Sequence, residues 1–557
     1  MSGVATSGSG VELDVLRVST DVLVLGGGLA GFRAAVAARG LGADVTMAYF
    51  ARGASPFIIG CNTPIGHADP RDGPAIYFDD MVRGGYGLND RRLVRVMSEQ
   101  AVDAWRELTA IGVPFAGNGE TLAQRHLSGN TYPRSIFVPE GTGRVVMEHL
   151  TAHAERIGVA AVTGRKIVAL LQDGTDIVGA LLWDRRAQQF TAITARATVM
   201  AMGGIGRLYS DSTYPTDVGS DAYGLALKAG ARLMDMEFVQ FEPVVTVWPE
   251  ECRGMEMPTA MLGDGAHLLN ASGERFMFRY NPEHGEKQIE KAKMSLCIQK
   301  EIDEGRGLPD GSVTFDTTVL QPDALESYVS HVRRLRNAGV DPAVTPPRVR
   351  PAAHSQMGGV FIDDTGWSGV PSLYVGGESA GGVHGASRLA GNGCSDTLVF
   401  GALAGRGAAK GMQSSAARDW SSIIDSALAP LREKLGRAGG TDAAEVKTAV
   451  RDLMPMVAGI WRSRDQLAVG MERIADCTRT AAEQLTIPDV DRAIEAVELD
   501  HMLVTARMIV EAADARTESR GAHQRTDFPQ TDETWLKHTS FHTDARGALV
   551  REDLPIH

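Results

Sequence analysis

Three glycines near the N-terminus have the types and spacing of a dinucleotide-binding turn. Gly26, Gly28 and Gly31 form the pattern G-x-G-x-x-G after the apolar run 22–25, and a helical stretch and a second strand-like run ending at Phe50 follow. In this context the first glycine allows a tight turn, the second lets a pyrophosphate approach the backbone, and the third lets helix and strand pack closely. The pattern predicts a dinucleotide whose phosphates lie at a helix N-terminus, without separating FAD from NAD.

A histidine far from either terminus could also do chemistry. His354 precedes a flexible Gly-Gly in "HSQMGGVFIDD". Two interpretations are open from this segment alone: a turn that contains a histidine, or a loop that faces a substrate.

The elements around these residues predict a multidomain α/β protein. Strand-like runs cover 166–171, 176–183 and 197–202, and the last leads into a second Gly-rich turn, "AMGGIG". The polar, Met-rich stretch from about residue 244 lies between two glycine-rich blocks and is interpreted as an insertion. Helical patterns dominate from about residue 419 to 517, and the chain beyond is polar and irregular. A length of 557 residues favours roughly two to four domains.

Charge and composition exclude several classes of partner. The net charge of -13 argues against nucleic acid and against an anionic membrane surface. No run of about 18 apolar residues is present, and the start, "MSGVATSGSG", lacks the features of a signal peptide. We therefore expect a cytoplasmic protein that does not bind membranes.

The cysteines do not form a recognisable cluster. Five are scattered without a C-x-x-C pair. This spacing indicates no iron–sulfur or zinc site and no disulfide framework, and it favours a reducing compartment. We expect no metal site.

Seven ordered segments together resemble one family, the flavoprotein subunits of fumarate reductase and succinate dehydrogenase with their relative L-aspartate oxidase. Besides 26–31 they are "DMEFVQFEP", "GAHLLNASGERFM", "KEIDEGRG", "AAHSQMGGV", "LYVGGESAGGVHGASRLAGNG" and "ESRGAHQRTDFP". The resemblance implies a Rossmann-like FAD-binding domain with an inserted α+β capping domain and a C-terminal helical domain. The expected segments are a disordered tail (1–17), the FAD-binding domain (18–243 and 347–412), the capping and substrate domain (244–346), the helical domain (413–530) and a C-terminal tail (531–557).

The resemblance also implies which residues contact FAD. Those positions are Gly26, Gly28, Gly31, Asp221, Glu378, Gly393 and Cys394. The loop "GNGCSDTLVF" opens an apolar helix, so its N–H groups could stabilise negative charge on a reduced flavin. Family members with covalent flavin carry Ser-His-Thr where this chain has Ser55-Pro56-Phe57, so we expect FAD to be bound non-covalently.

On the substrate side, the resemblance implies a carboxylate clamp, by which we mean His354 and Arg388. Arginine offers a planar fork to a carboxylate, and the imidazole adds a second donor. Alternatively, both residues could have purely structural roles: Arg388 could form an ion pair, and His354 could cap a turn.

The neighbouring proton-transfer residues of the family are altered. Glu242 stands where a histidine is usual, Thr259 where a relay glutamate is usual, and Lys291 where the proton-exchanging arginine is usual. We name Lys291 and Glu242 as candidate catalytic residues and Thr259 as a candidate substrate contact. An alternative alignment gives the arginine's place to Arg253. Both Glu242 and Lys291 could also be merely structural, and lysine, unlike arginine, can be tuned to act as a base.

With these changes, the resemblance implies an FAD-dependent dehydrogenase, oxidase or reductase that moves a hydride between flavin N5 and a small carboxylate-bearing substrate. A charged Glu242 would repel a dicarboxylate, which favours oxidation of an amino or hydroxy acid over succinate/fumarate interconversion. The alternatives are a flavoprotein that works with an iron–sulfur or other electron-transfer partner, and a reductase of an activated unsaturated acid. Substrate, direction, electron acceptor and oligomeric state are left open.

Overall fold

The protein is described from a computed structural model that covers residues 3–4, 13–118, 120–287, 289–413 and 417–556. Most of the tail expected over 1–17 lies outside the described residues. The first long strand begins at Val15, inside that stretch.

Residues 3–248 supply most of one large sheet and the helices that cover it. The strands are β1 (Gly3–Val4), β2 (Val15–Leu25), β3 (Val45–Tyr49), β4 (Cys61–Asn62), β5 (Ser135–Ile136), β6 (Ala160–Thr163), β7 (Lys166–Asp173), β8 (Asp176–Asp184), β9 (Gln189–Met200), β10 (Leu233–Met234) and β11 (Val239–Trp248). The helices are α1 (Leu29–Gly40), α2 (Pro74–Gly84), α3 (Arg91–Ala110), α4 (Thr142–Arg156) and α5 (Asp221–Lys228).

The inserted region and the return to the large sheet follow. The insertion contains α6 (Ala260–Asp264), β12 (His267–Leu269), α7 (Met277–Tyr280), α8 (Lys291–Asp303), β13 (Val313–Asp316), α9 (Pro322–Glu326) and α10 (Val329–Asn337), and β14 (Arg348–Gln356) leads out of it. The return consists of β15 (Gly359–Val360), β16 (Leu373–Val375) and α11 (Asn392–Lys410).

The C-terminal part is helical and ends in two strands. Its elements are α12 (Trp420–Lys434), α13 (Ala443–Val457), β17 (Trp461–Arg462), α14 (Arg464–Glu483), α15 (Val490–Ala515), β18 (Gln524–Arg525), β19 (Lys537–Thr543) and β20 (Leu549–Pro555). The expectation of an irregular tail here is wrong, because β19 and β20 pair along their whole length and extend the small sheet of β10 and β15. Among the described helices, none has both the length and the apolar character to cross a bilayer.

The large sheet has the strand order β6-β3-β2-β9-β8-β7, with β16 beside β9. Strands β2, β3, β6, β9 and β16 are mutually parallel where they pair. Val22 to Leu25 are fully buried, since a central parallel strand is covered on both faces. The Rossmann-like arrangement predicted from the glycines is confirmed.

The insertion has its own apolar core, formed by residues between Val244 and Val349. The chain enters it along β11 and leaves along β14, and these two strands are antiparallel neighbours. The predicted fold class, with an inserted α+β domain and a C-terminal helical domain, is thus confirmed.

Candidate active site

One large cavity runs from the glycine turn at the start of α1 to the inserted domain. Its volume is about 770 Å³, within the range of small-molecule and cofactor sites. Of the residues predicted to contact FAD, six line this cavity: Gly26, Gly28, Asp221, Glu378, Gly393 and Cys394.

The seventh, Gly31, has a packing role. A Cβ on Gly31 would lie 2.1 Å from the carbonyl oxygen of Gly26, so only glycine lets α1 approach the turn this closely. Beside them, the Ser55 hydroxyl accepts a hydrogen bond from the Leu29 N–H at 2.8 Å, and a Cβ on Gly28 would lie 2.9 Å from that oxygen. The wall at this turn is therefore bare backbone, as an approaching pyrophosphate requires.

Two helix N-termini open onto the same cavity, those of α1 and α11. Gly28 and Gly391, which precede the two helices, provide no side-chain cap. The first N–H of each helix is already bonded, to Ser55 in α1 and to the Leu389 carbonyl in α11, so the N–H groups that follow in the first turn are those that can bind anionic parts of a ligand. Gly391, directly before α11, is left-handed, with φ 88°. A long cavity with positive helix ends fits a flavin dinucleotide. Pro56, where the sequence resemblance led us to expect no covalent flavin link, also lines the cavity.

Glu378 and Asp221 are fixed by neighbours. Glu378 accepts hydrogen bonds from the Tyr214 hydroxyl and from the Gln356 N–H at 3.0 Å, and burial raises its pKa. Asp221 begins α5, and its Oδ1 lies 3.1 Å from Nδ1 of His501.

The substrate end is built where β11 and β14 pair and where α8 begins. Glu242 lies on β11 and is fully buried, and His354 lies on β14. Lys291 is the first residue of α8. Its ammonium forms an ion pair with Glu242 and lies 3.1 Å from Oε1 of Glu256. Nε2 of His354 is 3.9 Å from Oε2 of Glu242, so one cluster joins all four side chains.

The four side chains of this cluster lie at different depths behind the cavity surface. Lys291, Glu256 and His354 line the cavity, whereas Glu242 lies behind Lys291. Oε1 of Glu242 is buried with no hydrogen-bond partner within the described part of the chain. Lys291 is therefore the group that faces a ligand, and Glu242 backs it.

Burial and charge set the proton affinities. Burial, together with the nearby charge of Glu256, raises the pKa of Glu242 to about 8. Burial would also raise the pKa of Glu256, but the charges of Lys291 and His354 lower it to about 2. For Lys291, burial lowers the pKa and is outweighed by the carboxylates of Glu242 and Glu256, so that pKa is raised. At neutral pH Lys291 is a cation and Glu256 is an anion, while the raised pKa of Glu242 gives this carboxyl group an unusually high affinity for a proton.

His354 is held as a neutral ring. Burial lowers its pKa to about 3, and its Nδ1 lies 2.9 Å from the Thr213 hydroxyl. It can therefore offer one N–H donor and one acceptor nitrogen. A neutral His354 can hydrogen-bond to a carboxylate, but it cannot form a salt bridge with one.

Arg388 lies in the loop before α11 and lines the cavity with the other members of the cluster. Its Nε is buried and has no hydrogen-bond partner among the described residues. The Gln240 side chain donates to its backbone carbonyl at 2.9 Å, and a Cβ on Gly393 would lie 3.3 Å from Nη1. The guanidinium is thus fixed beside the start of α11 with donors free for an anion.

The other two sequence candidates have different surroundings. Thr259 precedes α6 and lines the cavity. Arg253 also lines it, but its guanidinium is half exposed and pairs with Glu250 at 2.7 Å. Of the two alternatives for the proton-transfer position, Lys291 is the one embedded among carboxylates.

Sequence reasoning missed Glu256 and Thr213. Glu256 lies in the segment "EECRGMEM", which also contains Arg253. Glu256 forms a β-bridge with Val245 of β11, and no local sequence pattern reveals this pairing. Glu242, Glu256 and His354 have the ligand types of a cation site, with ligand atoms within 4.8 Å of one another. The Lys291 ammonium already supplies positive charge to both carboxylates.

One expectation about the cysteines is wrong. Cys61 of β4 and Cys394 of α11 form a disulfide, with their Cα atoms 5.0 Å apart. The two residues are 333 positions apart, so sequence spacing could not pair them. Cys252, Cys297 and Cys477 are free thiols.

Comparisons with known proteins agree with this geometry. Residues 21–394 match a family model described as an FAD binding domain, and residues 447–556 match one described as the fumarate reductase flavoprotein C-term. The chain is 36% identical to one of the subunits of the fumarate reductase (CoM/CoB) of Methanothermobacter marburgensis, covering 93% of this chain and 96% of that one. It is 31% identical to the L-aspartate oxidase of Caulobacter vibrioides, covering 92% and 94%.

A solved structure agrees over the whole length. A mutant of the E. coli quinol fumarate reductase FrdA superposes with a TM-score of 0.90 at 25% identity, covering 97% of each chain. The resemblance drawn from the seven sequence segments is confirmed. The chain therefore belongs to the family of FAD-dependent oxidoreductases that contains the flavoproteins of fumarate reductase and succinate dehydrogenase together with L-aspartate oxidase.

Proposed function

We propose that this protein reduces a small unsaturated carboxylic acid, with Lys291 delivering the proton. The observation that carries the proposal is the buried Lys291–Glu242 pair, whose lysine faces the cavity while its glutamate lies behind. FAD, when bound, supplies the hydride. The protein's own residues hold the carboxylate and deliver the proton.

The carboxylate clamp, His354 and Arg388, supports a carboxylate-bearing substrate. Arg388 has a buried Nε without a partner among the residues described, and leaving such a donor unpaired costs about 1–3 kcal/mol. A substrate carboxylate would satisfy it. The neutral His354 adds a donor without adding charge.

The proton affinities of Lys291 and Glu242 favour reduction over oxidation. At neutral pH Lys291 carries a proton, because its pKa is raised, and Glu242 readily binds a second one, because its pKa is about 8. After Lys291 gives its proton to the substrate carbon, Glu242 is placed to restore it. The pKa of Glu242 lies near the working pH, which suits a group that resupplies a proton. Oxidation would need the same pair to start deprotonated.

This differs from the expectation that favoured oxidation of an amino or hydroxy acid. That expectation assumed that Glu242 would repel a second carboxylate. Its ion pair with Lys291 and its raised pKa remove most of that repulsion. Glu242 is therefore no obstacle to an unsaturated diacid.

Oxidation of an amino acid remains the second candidate because of Glu256. Its carboxylate is ionised at neutral pH, 23% exposed and part of the cavity wall. Such an anion would suit a substrate ammonium group. One relative is an L-aspartate oxidase, which is consistent with this alternative.

We also propose that the chain works with an electron-transfer partner. Several relatives are named as subunits of larger enzymes, among them a fumarate reductase and a succinate dehydrogenase. An iron–sulfur protein is the partner that the sequence resemblance leads us to expect.

The test is a two-way flavin screen. Anaerobically reduced protein is mixed with unsaturated acids, and oxidised protein with amino and hydroxy acids, while flavin absorbance is followed. Lys291→Met should slow re-oxidation by the best unsaturated acid by about 100-fold or more. Arg388→Ala should weaken binding of that acid by about 10- to 100-fold.

Lys293→Met is the matched control, since Lys293 is an exposed lysine on the same helix, and its rate should equal that of the wild type. FAD content verifies that each variant is folded. If Lys291→Met keeps the wild-type rate with full FAD content, the lysine is not the donor. If only amino or hydroxy acids react with the wild type, the second candidate is correct.

A further inference from the structure

The Cys61–Cys394 disulfide lies in the wall of the cofactor cavity. Cys394 is a lining residue, and so is Gly60, which directly precedes Cys61. Gly393, the residue before Cys394, lies against Arg388: a Cβ there would be 3.3 Å from Nη1. The disulfide is therefore next to the substrate clamp and on the cavity that holds FAD.

Both sulfur-bearing residues are closed off from the outside. Cys61 is 1% exposed and Cys394 is 3% exposed. A thiol in bulk solvent would have to cross the cofactor cavity to attack either sulfur. A flavin bound in this cavity would share it with Cys394 and would reach the disulfide more directly than a dissolved thiol.

The disulfide is not needed to join its two segments. Ser395 donates a hydrogen bond to the Asn62 carbonyl at 2.7 Å. The Asn62 amide donates to the Ala390 carbonyl at 2.8 Å and to Oδ1 of Asn392 at 2.6 Å. These buried bonds link β4 to the start of α11 independently of sulfur, so the bond between Cys61 and Cys394 can open without separating the segments.

The position of Cys394 also suits repeated opening and closing. It is the third residue of α11, a helix of 19 residues. A helix N-terminus stabilises a thiolate, which is the reactive form in disulfide exchange. Reduction would therefore leave a sulfur at Cys394 that is ready to form the bond again.

We propose that Cys61 and Cys394 are a two-electron store that exchanges electrons with the flavin. In the forward step the S–S bond breaks, FADH2 and the disulfide give FAD and two thiols, and no other reactant is needed. In the reverse step the two thiols return both electrons and both protons to FAD. The holoprotein would then hold two reducing equivalents more than its flavin alone.

The test counts both electrons and thiols. FAD-loaded protein is titrated anaerobically with dithionite while flavin absorbance is followed, then quenched in acid, denatured and alkylated, and the labelled cysteines are counted by mass spectrometry. Wild-type protein should gain two labels, from the three free cysteines to all five. Because a disulfide is a two-electron couple, it should consume twice the electrons that its FAD content requires.

Two variants separate the store from simpler explanations. Cys61→Ser should show no gain in labels and should consume only the electrons of FAD. Cys297→Ser, which removes a free buried cysteine, should keep the two-label gain. Three labels before and after reduction would mean a purely structural disulfide, and five before reduction would mean no disulfide; either result overturns the proposal. Neither depends on which acid the protein reduces.

Discussion

The Lys291–Glu242 pair places two ionisable groups where neither is solvated. Lys291 is 8% exposed and Glu242 is fully buried. A buried pair often stabilises a fold no better than apolar residues of similar size, because desolvation offsets the attraction. Proton transfer therefore explains the presence of this pair beside the cavity better than stability does, which is consistent with its proposed role.

The raised pKa of Glu242 leads to a prediction about pH. The proton that Glu242 supplies is present below a pH of about 8 and is lost as the pH rises through that value. Turnover in the reductive direction should therefore be level near pH 7 and fall about tenfold per unit on the alkaline side. In Glu242→Gln this alkaline limb should move or vanish, as measured by flavin re-oxidation rates from pH 6 to 10.

The control for this prediction is Glu290→Gln. Glu290 is also an acidic residue at the start of α8, directly before Lys291, but it pairs with the Tyr86 hydroxyl. This variant should keep the wild-type pH profile. An unchanged profile in Glu242→Gln would exclude Glu242 as the proton source.

Site residues that stand in short sequence motifs could be predicted, whereas those placed by tertiary contacts could not. Arg388, His354 and Lys291 stand in short motifs with fixed neighbours, and the cavity brings them together. Glu256 reaches Lys291 only because its strand-like segment folds back on β11. Thr213 contacts His354 across 141 positions. Contacts of this kind follow from tertiary pairing and leave no periodic signal.

Among the elements, β2 and α1 depend on glycine for their close approach. Gly26 has a φ of 122°, in the region that favours glycine, and a Cβ there would lie 2.0 Å from the Ala201 carbonyl oxygen. A Cβ on Gly31 would likewise lie too close to a backbone oxygen, that of Gly26. The turn, the helix start and the end of β9 form one tightly packed unit that presents bare backbone to the cofactor.

Gly31→Ala should disrupt this unit. The added methyl would lie 2.1 Å from the Gly26 carbonyl oxygen, a backbone atom that cannot move aside as a flexible side chain would. Overpacking should therefore cost about 1–3 kcal/mol of unfolding free energy and weaken FAD binding. Urea unfolding and FAD titration of the apoprotein measure both effects.

Gly40→Ala is the matched control, because it ends the same helix and a Cβ there meets nothing within 4 Å. It should leave FAD affinity unchanged and should not lower stability. Equal FAD affinity in Gly31→Ala and wild type would show that this close approach does not matter for the cofactor.

At the level of elements, periodic segments were predictable and the C-terminal strands were not. The helix at Arg91–Ala110 can be read from the sequence, since its apolar residues recur at helical spacing. In β19, by contrast, His538, Thr539 and Ser540 are buried together with Phe541. Polar residues that are buried by partners distant in sequence hide the usual alternation of a strand.

In the whole molecule, those two strands connect the end of the chain to its middle. β19 pairs with β10, which also pairs with β15, just after the strand that carries His354. His538 and Asp235 form a buried contact of 2.6 Å across 303 positions. The C-terminus therefore supports the wall of the site from behind.

This contact should make part of the stability depend on pH. Burial lowers the pKa of His538, but the Asp235 carboxylate outweighs burial and raises it. A raised histidine pKa adds stability that is fully present below the unfolded-state value of about 6.5 and is lost as pH rises through the folded-state value. His538→Gln should therefore lose about 2 kcal/mol at pH 5.5 and less at pH 8.5.

Urea unfolding at both pH values measures the difference. His542→Gln is the control, because His542 lies on the same strand, is partly exposed and is 3.8 Å from Glu552; its loss should be small at both values. A loss for His538→Gln that is equal at both pH values would mean that the protonated ring contributes nothing.

The fold class of the whole chain could be predicted because glycine-rich turns bracket the insertion on both sides. The order of the strands could not, since the paired residues of β16 and β9 are 175 positions apart, as in Leu373 and Thr198. The cysteine pair was missed for the same reason: β4 and α11 are brought together by tertiary packing across 333 positions.

The route of the chain into and out of the inserted domain has a mechanical consequence. Glu242 and His354 are at the root of that domain, on the two strands that connect it to the rest of the protein, whereas Lys291 belongs to the domain itself. The start of α8 is nevertheless tied to β11, because the Ser295 hydroxyl donates to the Phe241 carbonyl at 2.9 Å, next to Glu242. Hinge bending of the two strands beyond this point would move the rest of the domain while Lys291 stays with Glu242, so that access for the substrate could change without interrupting the proton path.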